Sequence, residues 1–212
     1  LVRSRGLGDV YKRQIKKFLE RFCTRVHENS VSVVKDTIFV SKTVAETLHR
    51  IVPTFRRKPF KDGTFPPAKI PEFIFSLKPS EIAKVLQVMF SADGSVCLWV
   101  QWRRDQKRWV INRCVELACK HPIIAQQITH LLIKLGFHPL NRVKSGKVSL
   151  LKQEDIVRFK EKIRFVPGVK VTAQSKLWEG FEKNQILDLA VKTIGLRKKD
   201  LQKFKTKEEV IN

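Results

Sequence analysis

The sequence predicts an α+β fold made of two related repeats, and three observations lead to it. A stretch with helical spacing ends at Asp93-Gly94 and runs straight into alternating, strand-like sequence. From there the order helix, strand, strand, helix, strand, strand, helix continues to about residue 196. A segment near the start of the chain also recurs about 110 residues later.

The first fourteen residues, LVRSRGLGDVYKRQ, resemble a translated sequencing adaptor and are set aside from the fold, so native sequence is expected from Ile15. Ile15, Phe18, Leu19 and Phe22 recur at helical spacing. The β-branched run Val31 to Val40, turning at Lys35-Asp36, suits a hairpin; Val44, Leu48 and Ile51 mark a helix stopped by Pro53. Residues 54–71 shift to Pro, Lys, Arg and Gly, the composition of a linker.

Beyond this joint, Ser80 is expected to cap a helix carrying Ile82, Val85, Leu86 and Met89. Leu98, Val100 and Trp102 alternate with Cys97, Trp99, Gln101 and Arg103, and a second strand runs from Trp109 to about Ala118. Ile124, Ile128, Leu131 and Leu135 form the stripe of the next helix, with Gly136 as its C-cap. A basic hairpin around Lys144 to Lys147 and helices over Asp155 to Phe165 and Trp178 to Ile194 complete the order. The recurring segment aligns residues 38–58 with 148–170, setting Lys42 on Lys152 and Val52-Pro53 on Val166-Pro167. Residues 15–76 thus read as the remnant of a first repeat plus linker, 77–200 as a complete second repeat, and 201–212 as the start of a clipped helix.

Charge narrows the partners. The chain of 212 residues carries 43 Lys+Arg against 20 Asp+Glu, a net +23. Its pI is near 10.3. Basic residues recur along the whole length, which favours a polyanion bound through phosphate contacts. No apolar run approaches the roughly 20 residues that a membrane-spanning helix needs. Cys23, Cys97, Cys114 and Cys119 show no CxxC pair and no paired His spacing, so neither a zinc module nor a disulfide framework is expected.

The segment LQVMFSADGSV, residues 86–96, then becomes informative. It resembles the signature of the LAGLIDADG homing endonucleases: Leu86, Ala92, Asp93 and Gly94 match its first, seventh, eighth and ninth letters, and the flanking elements come in the family's order from Ile15 to about Leu196. The resemblance implies two pseudo-symmetric αββαββα repeats with saddle-shaped antiparallel sheets, the first incomplete here. In this family the signature helices of two repeats pack side by side. Val88 and Ala92 would line the close contact, and Ile82, Val85, Val88 and Met89 would form the apolar edge left by a missing partner.

The resemblance also implies chemistry. Phosphodiester hydrolysis uses a metal to activate water and offset charge on the leaving oxygen, and a carboxylate is a hard ligand suited to Mg²⁺. Asp93 takes that role, with Gly94 beside it at the metal. An Asp-Gly dipeptide by itself is also a common helix ending. Lys170, after Val166-Pro167-Gly168, falls at the place of a family lysine that stabilises charge near the cut, with Lys58 as its first-repeat counterpart and Lys120 as a weaker candidate. Phosphate contact or plain exposure is the alternative for each lysine.

DNA reading is assigned to the sheet face away from the helices. Alternation turns Cys97, Trp99, Gln101 and Arg103 toward the groove, with Leu98, Val100 and Trp102 packed inward. Trp102 and Trp178 are expected in the core. In the second strand, buried Val115 and Leu117 would turn Glu116 out and Arg113 in, so a bulge or shifted boundary is expected and Arg113 is kept as a DNA contact. Arg142, Lys144, Lys147 and Ser149 are the candidates in the later hairpin.

Site-specific cleavage of a long duplex follows as the implied activity, with double-stranded DNA as partner, Mg²⁺ as cofactor and a pseudo-symmetric monomer as the working form. A non-cleaving relative, either an RNA maturase or a DNA-binding regulator, is the alternative, and an intein-borne endonuclease is another. The implied setting is cytoplasmic or organellar.

Overall fold

The structure, a computed structural model, describes residues 2–3, 31–34, 37–40, 42–51, 69–105, 107–171 and 178–196. The expected helix at Ile15 to Phe22, most of the linker, Lys58, the aligned Val52-Pro53 and the final segment 201–212 lie outside them. The chain divides into two compact units, Leu1–Leu77 and Lys78–Asn212.

The first unit holds a small antiparallel sheet of β1 (Val2–Arg3), β2 (Val31–Val34) and β3 (Thr37–Val40), in the order β1, β3, β2, followed by helix α1 (Lys42–Ile51). Two residues of the segment set aside as adaptor therefore pair with β3, at Val2↔Ile38 and Arg3↔Thr37.

The second unit begins with α2 (Pro79–Asp93) and continues through β4 (Gly94–Arg103), β5 (Arg108–Ala118), α3 (Pro122–Lys134), β6 (Leu140–Arg142), β7 (Lys147–Leu150), α4 (Gln153–Lys162) and α5 (Lys183–Lys192). This is an α+β arrangement of four helices and one open antiparallel sheet, ordered β4, β5, β7, β6. β3 followed by α1 corresponds to β7 followed by α4, the two strands being offset by 110 residues.

Helix α2 is capped two residues earlier than the sequence expectation. Lys78, not Ser80, is its N-cap, because Pro79 suits the first helical position and the Lys78 N–H donates to Glu81 Oε2 at 3.0 Å. Helix α5 likewise begins at Lys183, where the Glu182 N–H donates to Gln185 Oε1 at 3.0 Å; the residues from Trp178 form a turn before it. At the other end of α2, Gly94 passes so close to Phe90 that a Cβ there would lie 2.4 Å from the Phe90 carbonyl oxygen. The Asp-Gly junction is therefore steric: only glycine lets β4 leave the helix at this angle.

β4 and β5 pair without interruption from Gly94↔Leu117 to Arg103↔Arg108. No bulge intervenes, so simple alternation holds. Val96, Leu98, Val115 and Leu117, with Val148 and Leu150 of β7, form one buried apolar face on which the helices pack. Ile82, expected on an exposed edge, is fully buried with Leu86 and Phe90 in this core, because its position in α2 turns toward the sheet. Val88 and Ala92 of that expected contact are exposed, while Val85 and Met89 are half-buried. Trp178 is buried as expected and donates from Nε1 to the Leu98 carbonyl at 2.9 Å. Trp102 is not: it is 45% exposed, since residues 101–105 carry the hairpin beyond the helices that cover the face below.

Candidate nucleic-acid interface

Asp93 is the last residue of α2 and is exposed, with β4 starting at the next residue. The register Gly94↔Leu117 brings the end of β5 alongside this junction. Lys120 follows shortly after and is exposed, and the charge on Asp93 reaches Cys119, whose thiol is pushed up chiefly by burial. Lys170 is exposed, and its backbone pairs with that of Glu182 just before α5. The three residues expected to act at the cut thus lie on segments that converge on the end of α2.

A residue absent from the sequence expectations holds this junction. Lys183, the first residue of α5, is buried and donates from Nζ to the carbonyls of Ser91 at 2.8 Å and Gly94 at 2.6 Å. Its ammonium also lies 5.7 Å from the Phe165 ring centroid. Burial pushes the Lys183 pKa down to about 8, against the opposing pull of Asp93. The contact corrects the assignment of Gly94 to the metal. The Gly94 carbonyl oxygen is already occupied by a cation, so it is a poor donor for Mg²⁺.

The sheet face away from the helices carries Trp99, Gln101 and Arg103 on β4, all exposed, and Arg142 at the far edge on β6, also exposed. Lys144 is exposed in the turn between β6 and β7. These five expected contacts are available to a ligand. Arg113 is not. It sits opposite Leu98 on the helix-covered face, donating from Nε to Thr193 Oγ1 at 2.6 Å and from Nη2 to the Thr193 carbonyl, so its guanidinium closes the end of α5.

Ser149 is also withdrawn. It is fully buried and its hydroxyl donates to Glu116 Oε1 at 3.3 Å. Lys147 reaches the same carboxylate, Nζ to Oε2 at 2.7 Å, and keeps only part of its side chain exposed. Each partner shifts the other: the Glu116 hydrogen bond and charge raise the Lys147 pKa, while Lys147 and Ser149 hold the Glu116 carboxyl below its ordinary value despite the opposing effect of burial.

No protein-family model and no curated protein matches this chain.

Glu116 is the sole acidic strand residue that alternation places on this face among the described residues. It neutralises Lys147 where a phosphate would need it. Glu116→Gln should therefore strengthen binding to duplexes of any sequence and steepen the salt dependence by roughly one unit of log K against log salt. Titrations in EDTA across salt concentrations check this. Weaker or unchanged binding would remove Lys147 from the interface.

Proposed function

We propose that the protein is a duplex-DNA-binding endonuclease of the LAGLIDADG type, laying the uncovered face of its β4, β5, β7, β6 sheet along the groove with Asp93 aimed at the backbone. The single observation that carries this reading is the junction at Asp93. An exposed carboxylate ends α2 at the point where the chain enters the sheet, beside segments bearing Lys120 and Lys170. The net charge of +23 supplies the electrostatic attraction. Trp99, Gln101, Arg103 and Arg142 offer one stacking and three hydrogen-bonding side chains to base edges.

The fit to Mg²⁺ is incomplete within the described residues. Asp93 provides one hard oxygen, the Gly94 carbonyl is held by Lys183, and Asp93 joins no group of three His, Cys, Asp or Glu side chains close enough to share an ion. Cleavage of the LAGLIDADG kind then requires an acidic residue from a second helix. The exposed Val88 and Ala92, four residues apart on α2, are the contact that helix would use. The same incompleteness supports a second reading, a non-cleaving protein that binds DNA or RNA through this face.

With a second acid-tipped signature helix supplied, the protein should linearise specific members of a supercoiled plasmid library in Mg²⁺. Asp93→Asn should abolish cutting while binding persists, because a lost ligand affects the chemical step far more than a charge-rich interface. Undiminished cutting by Asp93→Asn rejects the assignment. Sequence-selective binding without cutting under every condition selects the second reading.

A further inference from the structure

In the middle of the uncovered sheet face, the strand register sets Cys97 directly opposite Cys114, and Glu116 follows two residues along β5 on the same side. Their ligand atoms lie within 4.8 Å of one another. Sequence spacing gave no hint of this group, because the pairing of two strands creates it. We propose that Cys97, Cys114 and Glu116 form a binding site for a thiophilic divalent cation of the zinc class.

The donor set selects the ion. Two thiolates and a carboxylate suit a borderline-soft, tetrahedral cation, whereas Mg²⁺ demands hard oxygen ligands in octahedral array. Zinc bonds of about 2.3 Å to sulfur and 2.0–2.2 Å to oxygen would bring the ligand atoms to under about 4 Å of one another. Small side-chain rotations supply that closure. Three protein ligands leave a fourth position for water, on the side of half-buried Cys97, since Cys114 and Glu116 are buried.

The surroundings are already arranged for a ligand. Lys147 and Ser149 each donate to one oxygen of Glu116, at 2.7 and 3.3 Å, fixing its orientation while leaving acceptor lone pairs on both oxygens. Two thiolates and the carboxylate bring three negative charges, which the cation and Lys147 together offset. Loading releases both thiol protons to solvent, so affinity should rise with pH. The hydrogen bond between the two thiols lowers Cys97 and, with burial, raises Cys114, so the second proton leaves only as the cation enters. A bound ion would clip β4 to β5, and through Glu116 it would tie both to β7. The site is independent of Asp93 and of any cleavage.

The test uses the whole chain under reducing conditions, titrated with Co²⁺ and then Zn²⁺. One Co²⁺ per chain with thiolate-to-cobalt charge-transfer absorption, bleached by Zn²⁺ and untouched by Mg²⁺, is the expected result. Cys97→Ser and Cys114→Ser should each abolish the band, and Glu116→Gln should weaken binding by about 10- to 100-fold. Cys23 and Cys119 are further thiols, and a serine variant could fail to fold, so alkylation of the unmutated chain provides the second measurement. Zn²⁺ should slow alkylation of half-buried Cys97 and leave that of Cys119 unchanged. Protection of Cys119 instead, a band that survives both substitutions, absence of any band, or a Cys97–Cys114 disulfide persisting in the reduced protein overturns the proposal.

Discussion

Lys183→Met is expected to remove the gain in stability that Lys183 should contribute between about pH 8 and pH 10.5. The native pKa of Lys183 is pushed down to about 8 from an ordinary 10.5, so between those values the unfolded chain binds more protons than the folded one. Stability from this group is therefore fully present above about pH 10.5 and is lost as pH falls through about 8. The full change is about 3 kcal/mol, from roughly 1.4 kcal/mol per pH unit. Urea unfolding of both proteins across this range measures it. The difference between them should change steadily with pH; a constant difference would mean that the buried amine does not titrate as its surroundings imply. At neutral pH the variant also leaves the Ser91 and Gly94 carbonyls without their donor at the end of α2, a loss of about 1–3 kcal/mol for buried acceptors. The carboxylate of Asp93 sits on that same turn, so its placement depends on a lysine from the last described helix.

Such a residue is hard to find in sequence, since the hydrogen bond from Lys183 to Gly94 joins positions 89 apart. The junction it supports was legible. Ile82, Val85, Leu86 and Met89 recur at helical spacing, and the glycine after Asp93 is forced by the close approach of Phe90. Alternation correctly gave the two sides of β4, yet it could not show how far the helices reach along the strand, which is why Trp102 was expected in the core. Arg113 went wrong for a different reason. Its position pointed inward and its charge argued outward, and a side chain 80 residues away, Thr193, accepts the guanidinium. Lys147 and Ser149 look like free contacts until Glu116 is brought beside them by the pairing of β5 with β7. The misses at Arg113, Lys147 and Ser149 concern polar groups satisfied across strands or helices, whereas local periodicity reports only apolar spacing.

The same long-range dependence governs the core. Phe159 of α4 is fully buried, with its ring centroid 5.0 Å from that of Phe90 on α2 and 5.2 Å from that of Phe165. It is the shared member of three packed rings, and Phe165 in turn lies over the Lys183 ammonium. Phe159→Ala should therefore destabilise the second unit by about 3–5 kcal/mol, the usual cost of lost burial plus the cavity left behind. Compensating collapse is limited. The backbone of Phe165 is held on both sides by Asn184, through its N–H to Oδ1 at 3.1 Å and its carbonyl from Nδ2 at 3.0 Å, so the neighbouring ring cannot slide far into the space. Phe159→Leu keeps most of the volume and should cost clearly less. Denaturant unfolding of the two variants provides the comparison, and a loss below about 1 kcal/mol for Phe159→Ala would mean that α4 repacks freely against α2. The expected effect extends to the end of α2. If α4 and the segment after it loosen, Lys183 loses the packing that sets it under the Gly94 carbonyl, and the end of α2 that presents Asp93 should lose order at denaturant concentrations that leave the unmutated protein intact.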